Sequence, residues 1–322
     1  MPDPAAHDRE PDLGEADFEQ LRPVLSWAIA AAAPGSRVVG VKGLRDGTNP
    51  WLLRLDRSGT TCEVFLKVGD VASVQQHRQL STAVAALILA QEHALPAPRL
   101  VAADLDGSQA GMLAMLTTVL PGSSDIPRAA SPNRLRKLGA AAATLHAVPL
   151  SPRPDLALRT QPLPDVDFAA WRRSAGTSEL LTRAERLLAD LPAPGGTVVF
   201  VHGDLWQGNT LWSDGCCTGI VDWDCAGAGA SGIDIGWLRL DAALYFDASA
   251  ADEILLGWQQ SIGRPADYVA YWDVVAALGT VGDMKDCMPP LLDHGRTDID
   301  APTLTARRDP FLAAALDRLD RP

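Results

Sequence analysis

The stretch Phe200-Val201-His202-Gly203-Asp204-Leu205-Trp206-Gln207-Gly208-Asn209 runs from an apolar segment into a polar loop with an aspartate and an asparagine five residues apart. A carboxylate so placed can orient a hydroxyl and take its proton, while an amide oxygen nearby can bind a divalent cation that bridges nucleotide phosphates. A second carboxylate, Asp222, closes the run Gly219-Ile220-Val221, and beyond Trp223 lies Asp224, expected on the same strand face by period two. Magnesium prefers oxygen ligands, so Asn209, Asp222 and phosphate oxygens form a coherent set, with Asp204 as the base. Either aspartate alone reads equally well as a turn or capping residue. Their combination with Asn209 is what points to phosphoryl transfer.

These groups need a scaffold. Residues 17–33 have apolar spacing suited to an amphipathic helix that ends at Pro34-Gly35. Segments 36–44, 50–56 and 61–67, separated by Arg45-Asp46-Gly47-Thr48 and by Ser58-Gly59, read as a three-strand antiparallel meander. An alanine-rich helix over 72–93 and two further strands, 99–104 and 111–120, complete the strand-rich part. Beyond Pro121-Gly122 the pattern predicts helices over 131–147, 165–174, 178–191, 232–245, 249–262, 266–286 and 303–319, interrupted by short apolar runs within 197–223. The expected class is α+β, with a tail at 1–16, an N-terminal nucleotide-binding lobe at 17–119 and a C-terminal catalytic and acceptor-binding lobe at 120–322, joined by a hinge within 117–123.

The order His-x-Asp, four residues, Asn is the spacing of the protein-kinase catalytic loop. HGDLWQGN followed by VDWDCAGAGASGIDIG resembles the double signature of the aminoglycoside phosphotransferase family of small-molecule kinases. Upstream, LRDGTN at 44–49 is similar to that family's nucleotide loop, Leu66-Lys67 to its third strand, LPAPRL at 95–100 to the link into its fourth strand, and LTTVLPG at 116–122 and Leu145-His146 match in type and order. The resemblance spans 36–245, with its specific motifs in the second half of that range. It implies a protein-kinase-like two-lobed fold and transfer of the γ-phosphoryl group of ATP, GTP being left open, to a small-molecule hydroxyl with Mg2+. By position it gives Asp204 as base, Asn209 and Asp222 as metal ligands, and Lys67 as the contact to the α/β-phosphates. Gly47, Thr48 and Asn49 would cover the phosphates, and Thr117, Thr118 and Val119 would read the adenine. His202 is expected to brace the loop, and Asp234 to hold the loop or cap a helix.

One position departs from the family pattern. Ala83 stands where a glutamate usually pairs with the strand lysine, and Gln79, one turn earlier, offers only a neutral contact. Lys67 is therefore expected to be loosely held without nucleotide, and a nucleotide-binding protein without turnover is the competing reading. The intact Asp204, Asn209 and Asp222 argue for the enzyme.

Composition narrows the partners. Forty acidic against 28 basic residues give a net charge of −12, which disfavours nucleic acid. No segment approaches the roughly 20 apolar residues of a membrane span, and the start lacks a secretory pattern, so a cytoplasmic location with no membrane partner is expected. Five cysteines without metal-ligand spacing read as reduced thiols. Residues 232–300 hold twelve Asp/Glu against Arg239, Arg264, Lys285 and Arg296, a bias that suits either a cationic amino-sugar acceptor or a solvated face. Trp206, within the loop, is a candidate wall of the acceptor pocket. The acceptor's identity, antibiotic, amino alcohol, homoserine or sugar, and the oligomeric state are not legible.

Overall fold

The computed structural model describes residues 15–45, 48–150 and 156–319. The chain divides into two compact units. One runs to Gln91 and resumes over Pro98–Leu120, and the other comprises Glu92–Ala97 and the chain from Pro121 onward.

The first unit opens with helix α1 (Glu15–Ala32) and continues through strands β1 (Arg37–Arg45), β2 (Thr48–Arg57) and β3 (Thr60–Gly69), helix α2 (Val74–Glu92), and strands β4 (Leu100–Asp104) and β5 (Leu113–Thr118). The strands form one antiparallel sheet in the order β1-β2-β3-β5-β4. The β2–β3 hairpin is closed by Ser58 and Gly59, both at positive φ (53° and 88°), which matches the right-handed twist of the strands. Along β2 the period of two is clear, because Trp51, Leu53 and Leu55 are buried while Arg54 faces solvent. Those three join Val64, Leu66 and Leu116 of the sheet and Val24, Leu25 and Ala28 of α1 in one core. Strand β5, between two neighbours, is buried from Leu113 to Thr117.

The second unit is mostly helical: α3 (Pro132–His146), α4 (Phe168–Ala175), α5 (Glu179–Asp190), α6 (Gly232–Tyr245), α7 (Ala248–Ile262), α8 (Val269–Ala277), α9 (Met288–Asp293) and α10 (Ala301–Leu319). Several N-termini carry the expected caps. Ser131, Asp167 and Ser178 accept from the amides of Arg134, Ala170 and Leu181, which satisfies N–H groups that have no partner inside the helix. Between α5 and α6 lie two hairpin-like pairs, β6 (Val198–Val201) with β9 (Gly227–Ala230) and β7 (Thr210–Ser213) with β8 (Cys216–Ile220).

One predicted element fails. The helix expected over 266–286 begins at Val269 and stops at Ala277. The amides of Gly279 and Thr280 turn back to Ala276 and Ala277, Gly282 donates to Gly176, and the buried Arg308 guanidinium takes the carbonyl of Val281. Two glycines make the helix weak there, and tertiary hydrogen bonds then outweigh its propensity.

Candidate active site

The polar loop leaves β6 at His202 and reaches β7 at Thr210, with Gln207–Asn209 forming one short 3-10 turn. Its entry is fixed by Asp234 of α6, whose two carboxylate oxygens accept from the amides of His202 and Gly203, both at 2.8 Å. Asp234 does not cap its own helix but holds the loop. The side chain is completely buried. Burial alone would raise its pKa, but His146 and the loop amides more than offset this and leave it below the ordinary aspartate value. His146 lies 3.1 Å from Asp234 and accepts from Trp258 Nε1 at 2.8 Å, so its Nδ1 is the acceptor and its Nε2–H faces the carboxylate.

His202 is the expected brace. Its ring is buried, Nδ1 accepts from the Asp204 amide at 3.3 Å, and Nε2 donates to the Val221 carbonyl at 3.0 Å. Burial holds it neutral by lowering its pKa. Gly203 sits at φ +78°, and a Cβ there would overlap the Cys225 carbonyl. Gly203→Ala is therefore expected to combine backbone strain with a clash, costing about 2–4 kcal/mol in a denaturant titration.

Asp204 is gripped through both oxygens. Asn209 Nδ2 donates to Oδ2 at 3.1 Å and to the Asp204 carbonyl at 2.9 Å, while Trp237 Nε1 donates to Oδ1 at 3.2 Å. With its amide nitrogen committed, Asn209 has Oδ1 left as its free side-chain acceptor. The Val221 amide donates to the Asn209 carbonyl at 2.9 Å, which ties the Asp222 turn to the loop. Burial, and then the Asp222 carboxylate, push the Asp204 pKa up to about 8. That pair of carboxylates is a site that favours a cation.

Asp222 and Asp224 do not share a strand face, as period-two spacing had suggested. Strand β8 ends at Ile220, Asp222 adopts the left-handed conformation (φ 65°, ψ 63°), and Trp223–Cys225 form a 3-10 turn. Trp223 anchors that turn by donating to the Ile220 carbonyl at 2.9 Å and stacking on Phe200 at 5.6 Å. Left-handed backbone is tolerated by aspartate better than by most residues and costs about 1 kcal/mol.

Gln207 is held by Asp241 of α6, whose Oδ2 accepts from both its backbone amide (3.0 Å) and its Nε2 (3.1 Å). Burial, opposed by hydrogen bonds from Tyr245 and Gln207, pushes Asp241 up to about 7 from 3.8. Between those values the folded protein keeps a proton that the unfolded chain has released, so this group's stabilisation declines as pH rises. Across that window wild-type Tm should fall relative to the Asp241→Asn variant, as read by calorimetry in a pH series.

In the first unit, Lys67 lies on β3 opposite Met115 and is not without an interaction partner. Ala83 is 1% exposed on the packed face of α2. The backbone amide of Thr118 is spent on the Arg99 carbonyl and its hydroxyl on the Arg99 amide, and Thr117 is buried within β5. Val119 is the first residue past the strand. Gly47 lies outside the described residues, as do the side chains of Thr48 and Asn49, whose backbones open β2.

The acidic excess of 232–300 is largely committed. Asp273 is buried between Arg239 and Arg318, Glu253 pairs with Arg136, Asp298 pairs with Arg296, and Asp247 and Asp300 accept from first-turn amides of α7 and α10. Trp206 packs edge-on against His294, centroids 4.9 Å apart, above Gly208. Trp237 and Asp241 were not singled out as functional from sequence. The signal was present, since polar groups in a helix apolar all round require internal partners. Among the described residues no helix is long and apolar enough to cross a membrane.

An antiparallel sheet with its helix, a helical unit, and an Asp-Asn loop beside a second carboxylate define a kinase-like small-molecule phosphotransferase. The model of the phosphotransferase enzyme family matches residues 40–277, and the chain belongs to that family. Its fold is similar to the macrolide 2'-phosphotransferase MphH from Brachybacterium faecium (19% identity, 92% of this chain and 98% of that one, TM-score 0.56). It is also similar to an aminoglycoside-3'-phosphotransferase of type VIII (21% identity, 78% and 97%, TM-score 0.53). A third similar structure is the amicoumacin kinase hAmiN in complex with AMP-PNP, Ca2+ and Ami (13% identity, 94% and 96%, TM-score 0.54). A comparison with curated protein sequences gives no significant match.

Proposed function

We propose that the enzyme transfers the γ-phosphoryl group of ATP to a hydroxyl of a small molecule, in the cytoplasm, with Asp204 as the general base. The observation that carries this reading is the Asp204 carboxylate fixed from both sides by Asn209 and Trp237, with the Asp222 carboxylate close enough to raise its pKa. Two neighbouring carboxylates and an amide oxygen are the donor chemistry of magnesium. Asn209 and Asp222 are the residues that would hold it, with phosphate oxygens completing the set. Among the described residues no cluster of three or more His, Cys, Asp or Glu is arranged as a metal site, so the protein's share of the ligands would be small. When bound, the cation supplies charge neutralisation on the transferring phosphoryl group.

Asp204 then aligns the acceptor hydroxyl and takes its proton as the oxygen attacks phosphorus. Asn209 and Trp237 keep the carboxylate oriented, and His202 keeps the loop's backbone in place without titrating. From the first unit Lys67 is assigned to the α/β-phosphates, Gly47, Thr48 and Asn49 to covering the phosphates, and Thr117, Thr118 and Val119 to the base. Because the Thr118 amide is already spent, Val119 is the preferred backbone reader. The acceptor belongs to the hydroxyl-bearing antibiotics named for the similar structures, with macrolide and amino-sugar glycosides first.

The test is a coupled ADP-release assay with MgATP against erythromycin, kanamycin, hygromycin B, choline and homoserine, with product masses checked for one added phosphate. An increase of at least about tenfold over acceptor-free turnover for one of them supports the reading. No phosphorylated product from any hydroxyl compound, in protein that binds MgATP, would overturn it.

A further inference from the structure

Every residue of α6 except Trp237 is buried, and three side chains on one of its faces reach the catalytic loop. They are Asp234, Trp237 and Asp241, spaced i, i+3 and i+7, which is a single stripe of an α-helix. Their partners advance along the loop in the same order. Asp234 takes the amides of His202 and Gly203, Trp237 takes the Asp204 carboxylate, and Asp241 takes Gln207. Seven helical residues rise about 10 Å, a separation that the four residues from Gly203 to Gln207, with a reach of at most about 14 Å, can bridge.

We infer that this face of α6 sets the register of the catalytic loop, with Trp237 and Asp241 as positioning residues for phosphoryl transfer beside Asp234. The inference rests on Asp204 being the base and adds to it the groups that aim it. Trp237 suits the task because its indole is itself immobilised. It packs on Phe168 (centroids 6.3 Å apart) and lies over Gly279, where a Cβ would overlap the ring. The glycine that helped end α8 is thus also the one that makes room for the indole. Asp241 fixes the far end of the loop from a buried position. There Gln207 Oε1 is buried and makes no hydrogen bond within the protein, so the side chain is held through its amide nitrogen alone. Gln207 gives two donors to one oxygen of Asp241 and thereby holds the turn that presents Asn209.

The effect of Trp237 is separable from packing, because Trp237→Phe keeps an aromatic ring against Phe168 and deletes only the N–H. With MgATP and water as the acceptor, Trp237→Phe is expected to lower kcat at least about tenfold while KM for ATP stays within about threefold. Asp241→Ala should lower kcat similarly, and Asp241→Asn, which still offers Gln207 an acceptor, should recover most of that loss. A readout independent of turnover is the 15N-indole spectrum. The cross-peak missing in Trp237→Phe identifies Trp237 Nε1–H, and it should move upfield in Asp204→Ala, where its acceptor is gone. Asp204→Ala is also the control for the underlying reading. If it leaves ATP turnover within about twofold of wild type, the base assignment fails and the positioning inference goes with it. If Asp204→Ala collapses turnover but Trp237→Phe stays within about twofold of wild type, or the Trp237 indole signal does not move, only the positioning inference is overturned.

Discussion

Asp204→Asn is expected to lower kcat by at least about a hundredfold while the affinity for MgATP changes by no more than about threefold. The substitution is nearly isosteric: the single oxygen of the introduced amide can still accept from Trp237 Nε1, and Asn209 Nδ2 keeps its bond to the backbone carbonyl at 204, so one side-chain hydrogen bond is lost while the loop stays held at both points. What disappears is the group that accepts the hydroxyl proton, and a hundredfold corresponds to about 2.7 kcal/mol of transition-state stabilisation. Burial first, and then the Asp222 carboxylate, make an ionisable group costly at this position, and a neutral amide avoids that cost, which offsets the lost hydrogen bond, so the variant should be at least as stable as wild type. That pairing of results, lower turnover with equal or higher Tm, distinguishes a chemical role from a structural one. Steady-state kinetics on the best acceptor of the panel, with calorimetric titration of an ATP analogue and magnesium, provide the measurement. Turnover within about threefold of wild type would remove Asp204 from the chemistry.

How much of this could be read from the sequence depends on how local the determining interactions are. The Asp204-Asn209 pair was legible because its spacing sets its geometry, as the direct Asn209 Nδ2 to Asp204 bond shows. The β2–β3 hairpin was legible for the same reason, since Ser58-Gly59 dictates the turn and the alternation of Trp51, Leu53 and Leu55 dictates the face. Asp222 was recognised by position, but its left-handed backbone was not. Extrapolating a strand through it gave the wrong relation to Asp224, because Trp223 is pinned to the Ile220 carbonyl and curls the chain into a 3-10 turn. The predicted helix over 266–286 failed where Arg308 and Gly176, distant in sequence, compete for the backbone. Trp237 and Asp241 were hidden by the same distance. Sequence shows two residues on a helix, and only the fold shows that the loop more than thirty residues earlier lies along that helix.

Asp222→Ala is the second substitution expected to have a large effect, and comparison with Asp222→Gly separates its two consequences. Both remove the carboxylate assigned to magnesium, so both should abolish the magnesium-dependent part of ATP binding and lower kcat at least about a hundredfold. They should differ in stability. Asp222 holds φ 65° and ψ 63°, a conformation that glycine adopts freely and alanine resists, so Asp222→Gly should unfold later than Asp222→Ala by about 1 kcal/mol. Asp224→Ala, in the turn that follows, should lose much less activity. In the absence of nucleotide and metal, either Asp222 variant should also lower the pKa of Asp204, because the neighbouring negative charge that helps to raise it is gone. The measurement is calorimetric titration of AMP-PNP with and without magnesium on all three variants, alongside urea denaturation. Magnesium-dependent binding that survives unchanged in both Asp222→Ala and Asp222→Gly would show that the cation is held elsewhere. A left-handed aspartate would then be a structural turn, and the site would have to be rebuilt around Asp204 and Asn209 alone.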